Sequence, residues 1–488
     1  MSPVTTTVPT SLLTPQSYHT FRHVKAGAGL APLPLRVLLV GVKSSAGTAT
    51  AETPVQVLDV ADGITKAGQG SELALMIAKA FEQGMLNASS GRGGMPECWI
   101  CPIAAPGASV AAAETITVTV TTAVAGNVVL RIAGRTIYVG VSAGDAQNTI
   151  ATAIKNAIAA QIRDLPVTAG VSTNVVTCTH VTTGTNGNDV VYEVVSTPSG
   201  VSIALAQSVA GTGTVDITAA LDAAVDRNYD AVAVSIHSST AVSDALTHLA
   251  AMWGYAQKFW RWVFIGDKAS LGTAQGYASS ADSEKILIAS CEASPSLPSE
   301  IAAATAVAAF GVERPNANLD GVELALYPPA AASAYTAAEI ESALAGGVTP
   351  LKPTASGARL QIVRLITTKM TENSVPFTAL MDLAISRTLA YRATQYDIAY
   401  QTRFQQEVID GATSDPNSTL LNRVRDTCVG IDRELGRLGY LRDVETTILE
   451  IQVAEASSPA GRLLVQAPCR VAGPLHQVAF NHVNYYLG

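Results

Sequence analysis

Leu35 to Val42 reads LRVLLVGV, with one charge and six apolar side chains. A short run that is apolar without alternation is the pattern of a strand buried on both faces of a parallel sheet. Downstream, Ser71 to Glu82 puts Leu73, Ile77 and Ala80 on one stripe, with Ser71 as N-cap and Gly84 near the end, which predicts a helix. Glu97 to Ile103 (ECWICPI) is a second strand, and the strand, helix, strand order is a right-handed crossover unit. The rhythm returns at Tyr229 to His237 (YDAVAVSIH), helix Ala241 to Lys258, strand Trp262 to Ile265, helix Ala269 to Ala278, strand Lys285 to Ser290 and helix Pro298 to Phe310. These segments predict an α/β body built on a doubly wound sheet.

Between the two halves, Pro106 to Asp216 is rich in Thr, Val and Ala, and its apolar residues alternate at Ile116, Val118, Val120 and at Ile137, Val139, Val141. One helix, Asp145 to Ile162, carries Ile150, Ile154, Ile158 and Ile162 at four-residue spacing. Further strands are predicted at Val175 to Thr179, Val190 to Val195 and Val201 to Leu205. This block is an inserted α+β domain, expected to be dispensable for folding because the α/β pattern closes from Ile103 to Tyr229 without it. Pro328-Pro329, Gly346-Gly347, Pro350 and Pro353 mark a boundary. An α+β C-terminal domain then follows: strand Leu360 to Thr367, helices Leu380 to Gln401 and Ser418 to Leu438, strands Glu445 to Ala454 and Gly461 to Gln466. The second helix buries Leu420, Leu421, Val424, Cys428, Ile431, Leu435 and Leu438, and turns Asn422, Asp426, Arg433 and Arg437 outward.

Both ends read as extended arms. His476 to Gly488 (HQVAFNHVNYYLG) has period two, with Val478, Phe480 and Tyr486 on one face and Val483, Tyr485 and Leu487 on the other. A free strand of this kind exposes two apolar faces and an unpaired edge, and strand addition to another copy is the simplest remedy. Met1 to Pro34, rich in Thr, Ser and Pro, has no helical period and matches it at the opposite end.

Hydrophobic residues make up 48% and charged residues 14% of the 488, a composition suited to a protein that buries much of its surface in an assembly. The net charge of -8 carries no basic signature of nucleic-acid binding. The longest apolar run, Ile301 to Val312, is short of the ~20 residues that span a bilayer. The start has neither a basic n-region nor an apolar h-region, so no secretory signal is expected, and six scattered cysteines fit reduced thiols.

The motifs that carry chemistry are weak. Cys98 and Cys101 form a C-x-x-C inside a predicted buried strand, so core thiols are expected rather than redox or zinc ligands. Gly68-Gln-Gly70 is half a dinucleotide fingerprint with Leu at position 73, and Gly41 to Thr48 lacks the Gly-Lys-Ser/Thr ending of a P-loop. A hydrolytic triad needs a base, and of seven histidines only His237 ends a strand, where it is followed by the N-cap cluster Ser238-Ser239-Thr240. His476 and His482 share a strand face but stand roughly 20 Å apart. No catalytic residue, cofactor or metal site is expected.

Four stretches in this order, PLRVLLVGVKSSAGTATAETPVQV (Pro34 to Val57), GSELALMIAKAFEQG (Gly70 to Gly84), ECWICPI and IVRLITTKMTENSVP (Ile362 to Pro376), resemble the contractile phage tail sheath proteins of the Mu-type, subtilisin-like family. That resemblance implies the following layout. Residues 1–34 and 471–488 are linking arms, 35–105 and 217–345 a discontinuous subtilisin-like α/β domain, 106–216 an outer inserted domain, and 346–470 a tube-facing C-terminal domain. It further implies a structural subunit that forms stacked rings with its own copies around a tail tube protein and meets baseplate and tail terminator proteins. Contraction then drives the tube through the host envelope for genome delivery, with a place in the virion tail after assembly in the host cytoplasm, and without direct nucleic-acid contact or membrane insertion. Between Pro350 and Glu450 twelve Lys/Arg balance twelve Asp/Glu, so this part is neutral where the rest is acidic. Arg433 and Arg437 are the candidates for meeting acidic groups on the tube, with an ordinary solvated helix face as the alternative. The rival readings are a subtilisin-fold hydrolase and a structural tail subunit that never contracts.

Overall fold

The computed structural model describes residues 35–255, 257–405, 407, 420–456 and 462–476. The N-terminal arm expected over 1–34 and the arm residues Val478, Phe480, Val483, Tyr485, Tyr486 and Leu487 lie outside them.

The opening stretch is a strand, β1 (Arg36–Val42), and its lack of alternation has a direct cause. Val37 and Leu39 enter a core cluster on one face of a sheet while Leu38 and Val40 enter another on the opposite face, and all four are 0% exposed. Then come β2 (Val55–Val57), α1 (Val60–Ala67), α2 (Glu72–Ser89) and β3 (Glu97–Ile103). Ser71 caps α2 by accepting the Ala74 N–H at 3.2 Å. The helix runs a further two turns past the expected end because Gly84 is not a terminator: a Cβ there would stand 2.7 Å from the Met95 Cβ, so the glycine serves close packing.

The insertion contains β4 (Ala113–Val120), β5 (Gly126–Ile132), β6 (Arg135–Val141), α3 (Gln147–Ala160), β7 (Val167–Ser172), β8 (Val175–His180), β9 (Tyr192–Ser196) and β10 (Val201–Val209). They form a four-stranded sheet, β10-β4-β8-β7, and a three-stranded one, β6-β5-β9. Ile150, Ile154 and Ile158 of α3 pack with Ile116, Val118, Leu130, Ile137 and Val139 in a cluster of their own. Strand β7 was not legible as a strand, since only Val167 of its six residues is buried.

The main body resumes with α4 (Thr218–Asp222), β11 (Ala231–Val234), α5 (Ser239–Met252), β12 (Trp262–Asp267), α6 (Leu271–Ala281), β13 (Ile286–Ser290), α7 (Pro298–Phe310), β14 (Glu323–Leu324), α8 (Ala337–Ala345), β15 (Thr349–Pro353) and β16 (Leu360–Ile362). Nine strands form one sheet in the order β14-β16-β15-β13-β12-β11-β1-β3-β2. The six from β15 to β3 run parallel, and antiparallel strands close both edges. Residues of α2 and α7 cover one face and residues of α4, α5 and α6 the other. All thirteen residues of α7 are buried, and Gly266 of β12 admits it: a Cβ there would fall 2.0 Å from the Pro298 carbonyl oxygen.

The sheet does not stop at the boundary expected near Gly346. Thr349 and Pro350 pair in parallel with Ala289 and Ser290, and Leu360 to Ile362 return antiparallel, so the first strand assigned to the C-terminal domain belongs to the main sheet. A separate compact unit instead comprises Arg392–Arg470. Following the short β17 (Thr371–Glu372) and β18 (Val375–Pro376) come α9 (Leu383–Arg403), α10 (Leu420–Arg437), β19 (Leu441–Arg442), α11 (Val444–Thr447), β20 (Gln452–Glu455) and β21 (Leu463–Gln466). The strand expected over Glu445 to Ala454 is thus largely helical. Ile448 and Ile451, three apart, both bury beside Cys428, a spacing that suits a turn of helix better than a strand.

Candidate functional site

Helix α10 buries Leu420, Cys428 and Leu435 as its stripe predicts, whereas Leu438 is 36% exposed. Asp432 lies on that stripe too, four residues after Cys428 and three before Leu435, and is 0% exposed. The Arg392 Nε and Nη2 each donate to it at 2.8 Å, and the Tyr396 hydroxyl donates at 2.9 Å. Burial pulls the Arg392 guanidinium down, and the paired bonds to Asp432 more than offset it. A forked, buried pair of this kind fixes the angle between two helices. Sequence reading passed over Asp432, although its spacing within the stripe was the signal.

Arg433 and Arg437 point to solvent, with side chains 56% and 69% exposed. Each is held by a carboxylate: Arg433 forks onto Glu445 at 3.1 Å for both bonds, and Arg437 reaches Glu434 at 2.8 and 2.5 Å. On this unit β20 and β21 pair only with each other among the described residues, with Val453 facing Val465 and Ala454 facing Leu464. Leu464 and Val465 are 47% and 43% exposed. An apolar groove of about 710 Å³ lies beside them, lined by Tyr396, Tyr400, Phe404, Val424, Ile431 and Leu463.

Residues 472–476, at the start of the stretch expected as an arm, are held by residues of the main body. The Asn316 amide donates to the Ala472 carbonyl and the Asn318 amide to the Leu475 carbonyl, both at 2.9 Å. His476 stands 2.6 Å from Asp320 through Nδ1 and 3.3 Å from Asp382 through Nε2, and Asp382 is itself forked by Arg364 at 2.9 Å.

At the carboxyl ends of β11 and β12, His237 is clamped from both sides. Its Nδ1 is 3.1 Å from Asp267 and its Nε2 3.0 Å from Asp189, which the insertion supplies. Burial opposes the imidazolium, yet the bonds to Asp189 and Asp267 outweigh it and raise the group to about 10. A ring with both nitrogens engaged and a proton on each has no lone pair to act as a base. Beside it, Glu72 is 4% exposed and accepts two bonds of 2.9 Å from the Asn186 amide. Burial pushes its carboxyl up to about 7. Lys268 donates to the Asp189 carbonyl at 2.6 Å. A second tie joins Arg135 of β6 to the fully buried Glu300 of α7 at 2.6 Å. In α/β sheets the crevice at these strand ends is where ligands bind; here residues 185–189 of the insertion contribute to it.

Cys98 and Cys101 are both buried, and burial pushes each thiol up to about 12, far from the thiolate form that redox or metal chemistry uses. Among the described residues no group of three His, Cys, Asp or Glu could hold a metal ion, and no helix is long and apolar enough to cross a membrane.

No family model matches the chain. In sequence it is 31% identical over 183 residues to the Mu-like prophage FluMu tail sheath protein of Haemophilus influenzae, a match covering 38% of this chain and 36% of that protein. The likeness thus spans little more than a third of the relative's length. In fold, the chain is similar to the sheath tail protein of Listeria innocua, with a TM-score of 0.52 at 14% identity over 91% of this chain and 93% of that one. It is likewise similar to a chain of the cryo-EM anti-feeding prophage baseplate, with a TM-score of 0.50 at 10% identity over 97% of this chain and 99% of that one. The sequence match over those 183 residues bears out the resemblance to tail sheath proteins that the order of the four stretches suggested, and the fold agrees with it.

Proposed function

We propose that the chain is a structural, non-enzymatic subunit of a contractile tail sheath, placed in the virion tail. It polymerises in stacked rings around a tail tube protein between baseplate and tail terminator proteins, and contracts without nucleotide. The observation that carries this reading is the sequence similarity to a tail sheath protein, on a chain whose fold matches a solved sheath tail protein over most of its length. In this reading the nine-stranded sheet and its helices are the subtilisin-like domain, and the insertion faces outward. The Arg392–Arg470 unit, inside the region expected at 346–470, faces the tube with Arg433 and Arg437 among its contacts. The arms, with Val478, Phe480, Val483, Tyr485, Tyr486 and Leu487, add to the sheet of a neighbouring copy. The β20-β21 pair supports that last point, since among the described residues no third strand joins it and its edges can accept another.

Electron microscopy of the purified full chain tests the reading. Helical tubes, and their loss when residues 477–488 are removed, are expected. A discrete particle that turns over a peptide or ester substrate would favour the hydrolase instead.

A further inference from the structure

Two ties of opposite character join the insertion to the main body. The first is made by a single turn of 3-10 helix, Thr185–Asp189 (TNGND). Gly187 sets this turn close to Ala112, since a Cβ there would stand 2.9 Å from the Ala112 Cβ. Thr185 donates its N–H to the Gly213 carbonyl at 3.1 Å, and the Asn188 side chain bonds the Gly211 main chain at 2.7 and 3.0 Å. The turn is thereby bound to the insertion's own stem, where Val110 pairs with Thr212, while Asn186 and Asp189 reach the body.

The body's half of this tie is Glu72 of α2, His237 after β11, and Asp267 and Lys268 at the end of β12. With Glu72 protonated, two carboxylates, Asp189 and Asp267, meet two cations, His237 and Lys268. Ionising Glu72 leaves one carboxylate in excess at a residue 4% exposed, whose hydrogen-bond donor is the neutral Asn186 amide. A buried charge without a counter-charge is costly. Burial, with Asp189 adding to it, outweighs the Asn186 bonds and the more distant His237 charge and raises the Glu72 carboxyl to about 7. Tyr277 of α6, His180 of β8, Cys291 after β13 and Glu300 of α7 are the other ionisable groups that act on Asp189 or Lys268. Burial raises Tyr277 and Cys291 and lowers His180, so each favours its neutral form.

The second tie is built from charges that match. Arg135 donates to Glu300 at 2.6 Å and to the Ala133 carbonyl at 3.0 Å, and the second Glu300 oxygen accepts the Leu297 N–H at 3.0 Å. The hairpin turn beside it lies on the Tyr327 ring, where a Cβ on Gly134 would fall 2.4 Å from a ring carbon. Burial opposes both charges, yet Arg135 and Lys79 hold the Glu300 carboxyl below its ordinary range, and Glu300 holds Arg135 above its own.

We propose that the tie through the 185–189 turn is a proton-operated latch: it grips while Glu72 is protonated and slackens when Glu72 ionises, whereas the tie through Arg135 and Glu300 grips in both states. Rising pH then loosens the stem end of the insertion and leaves its β5-β6 hairpin attached. The sign follows from which state holds the proton more tightly. A released Glu72 in water has its ordinary value of 4.5, and the gripped one about 7, so grip is fullest below 4.5 and is lost as pH rises to 7. Each unit is a factor of ten, so the ratio of gripped to released turn falls about 300-fold across this window and is level above it.

Hydrogen exchange of the full chain at pH 4.5 and pH 8, expressed as protection relative to an unstructured peptide, tests the latch. Protection of the 185–189 amides is expected to fall about a hundredfold, while that of residues 132–136 in the hairpin changes less than threefold. Glu72→Gln, which copies the protonated acid, should keep the turn at its pH 4.5 protection at both values and separates Glu72 from His180. If that variant fails to fold, Glu72→Ala removes the same proton and is read in the same way. Unchanged protection of the turn in the parent would overturn the latch. So would an equal fall in turn and hairpin, which marks loss of the whole fold, or a fall that persists without the Glu72 carboxyl.

Discussion

At the scale of single residues, the charges that matter are the buried ones. His237 is held charged between Asp189 and Asp267, with its group raised from 6.5 to about 10. A group raised on folding gives stability that is complete below its unfolded value and is lost as pH climbs through the folded one. Glu72, raised from 4.5 to about 7 by burial, has the same sign, because the folded state holds the proton more tightly. Thermal stability should therefore fall as pH rises from 4.5 to 7 through Glu72, and again from 6.5 to 10 through His237. Scanning calorimetry across that range checks it: Glu72→Gln should flatten the lower slope and His237→Gln the upper one, and unchanged slopes would refute the assignment. Asp432 invites a second test. Asp432→Asn leaves the buried Arg392 charge without its carboxylate, a loss of ~3–5 kcal/mol in chemical denaturation, whereas replacing both partners by apolar residues of similar volume should recover most of it. The spacing of Asp432 was readable in the sequence; its partner 40 residues earlier was not.

At the scale of elements, periodicity reported burial faithfully and partners poorly. Strand β1 and the Ile150, Ile154, Ile158 stripe were legible because each records its own surroundings. The expectation that the insertion is dispensable missed what reaches out of it. Replacing 106–216 by a Gly/Ser linker removes Arg135 from Glu300, which is 0% exposed, and removes Asn186 from Glu72 and Asp189 from His237. Breaking one such buried pair costs ~3–5 kcal/mol. The shortened chain should then melt well below the parent or aggregate, and adding Glu300→Gln and Glu72→Gln should restore part of the loss. A shortened chain with the parent's melting temperature would show that the ties carry no stability.

At the scale of the whole molecule, Arg433 and Arg437 test the proposed tube-facing surface. Reversing both to Glu places like charges against Glu445 and Glu434, yet all four groups are near water and each exposed pair is worth only ~0.2–1 kcal/mol. The melting temperature of the subunit should hardly move. Repetition around each ring multiplies the small term, so co-sedimentation with tail tubes should be lost at low salt, where screening over about 8 Å is relaxed. Parent-like co-sedimentation at low salt would leave these arginines as an ordinary solvated face.

What the sequence by itself determined is the kind of the longer strands and helices in the body, the presence of an insertion, and the family likeness, because these depend on short-range spacing and on the order of segments along the chain. What only the tertiary structure decided is who meets whom. Leu360 to Ile362 join the main sheet past the expected boundary, and Arg135 finds Glu300 across 165 residues. Asn316 finds the Ala472 carbonyl across 156. A period of two or 3.6 states that a side chain leaves water, but not which distant backbone or charge receives it. That choice is made when sheet edges close and helices dock, since a buried charge survives only where the folded chain brings its partner within reach.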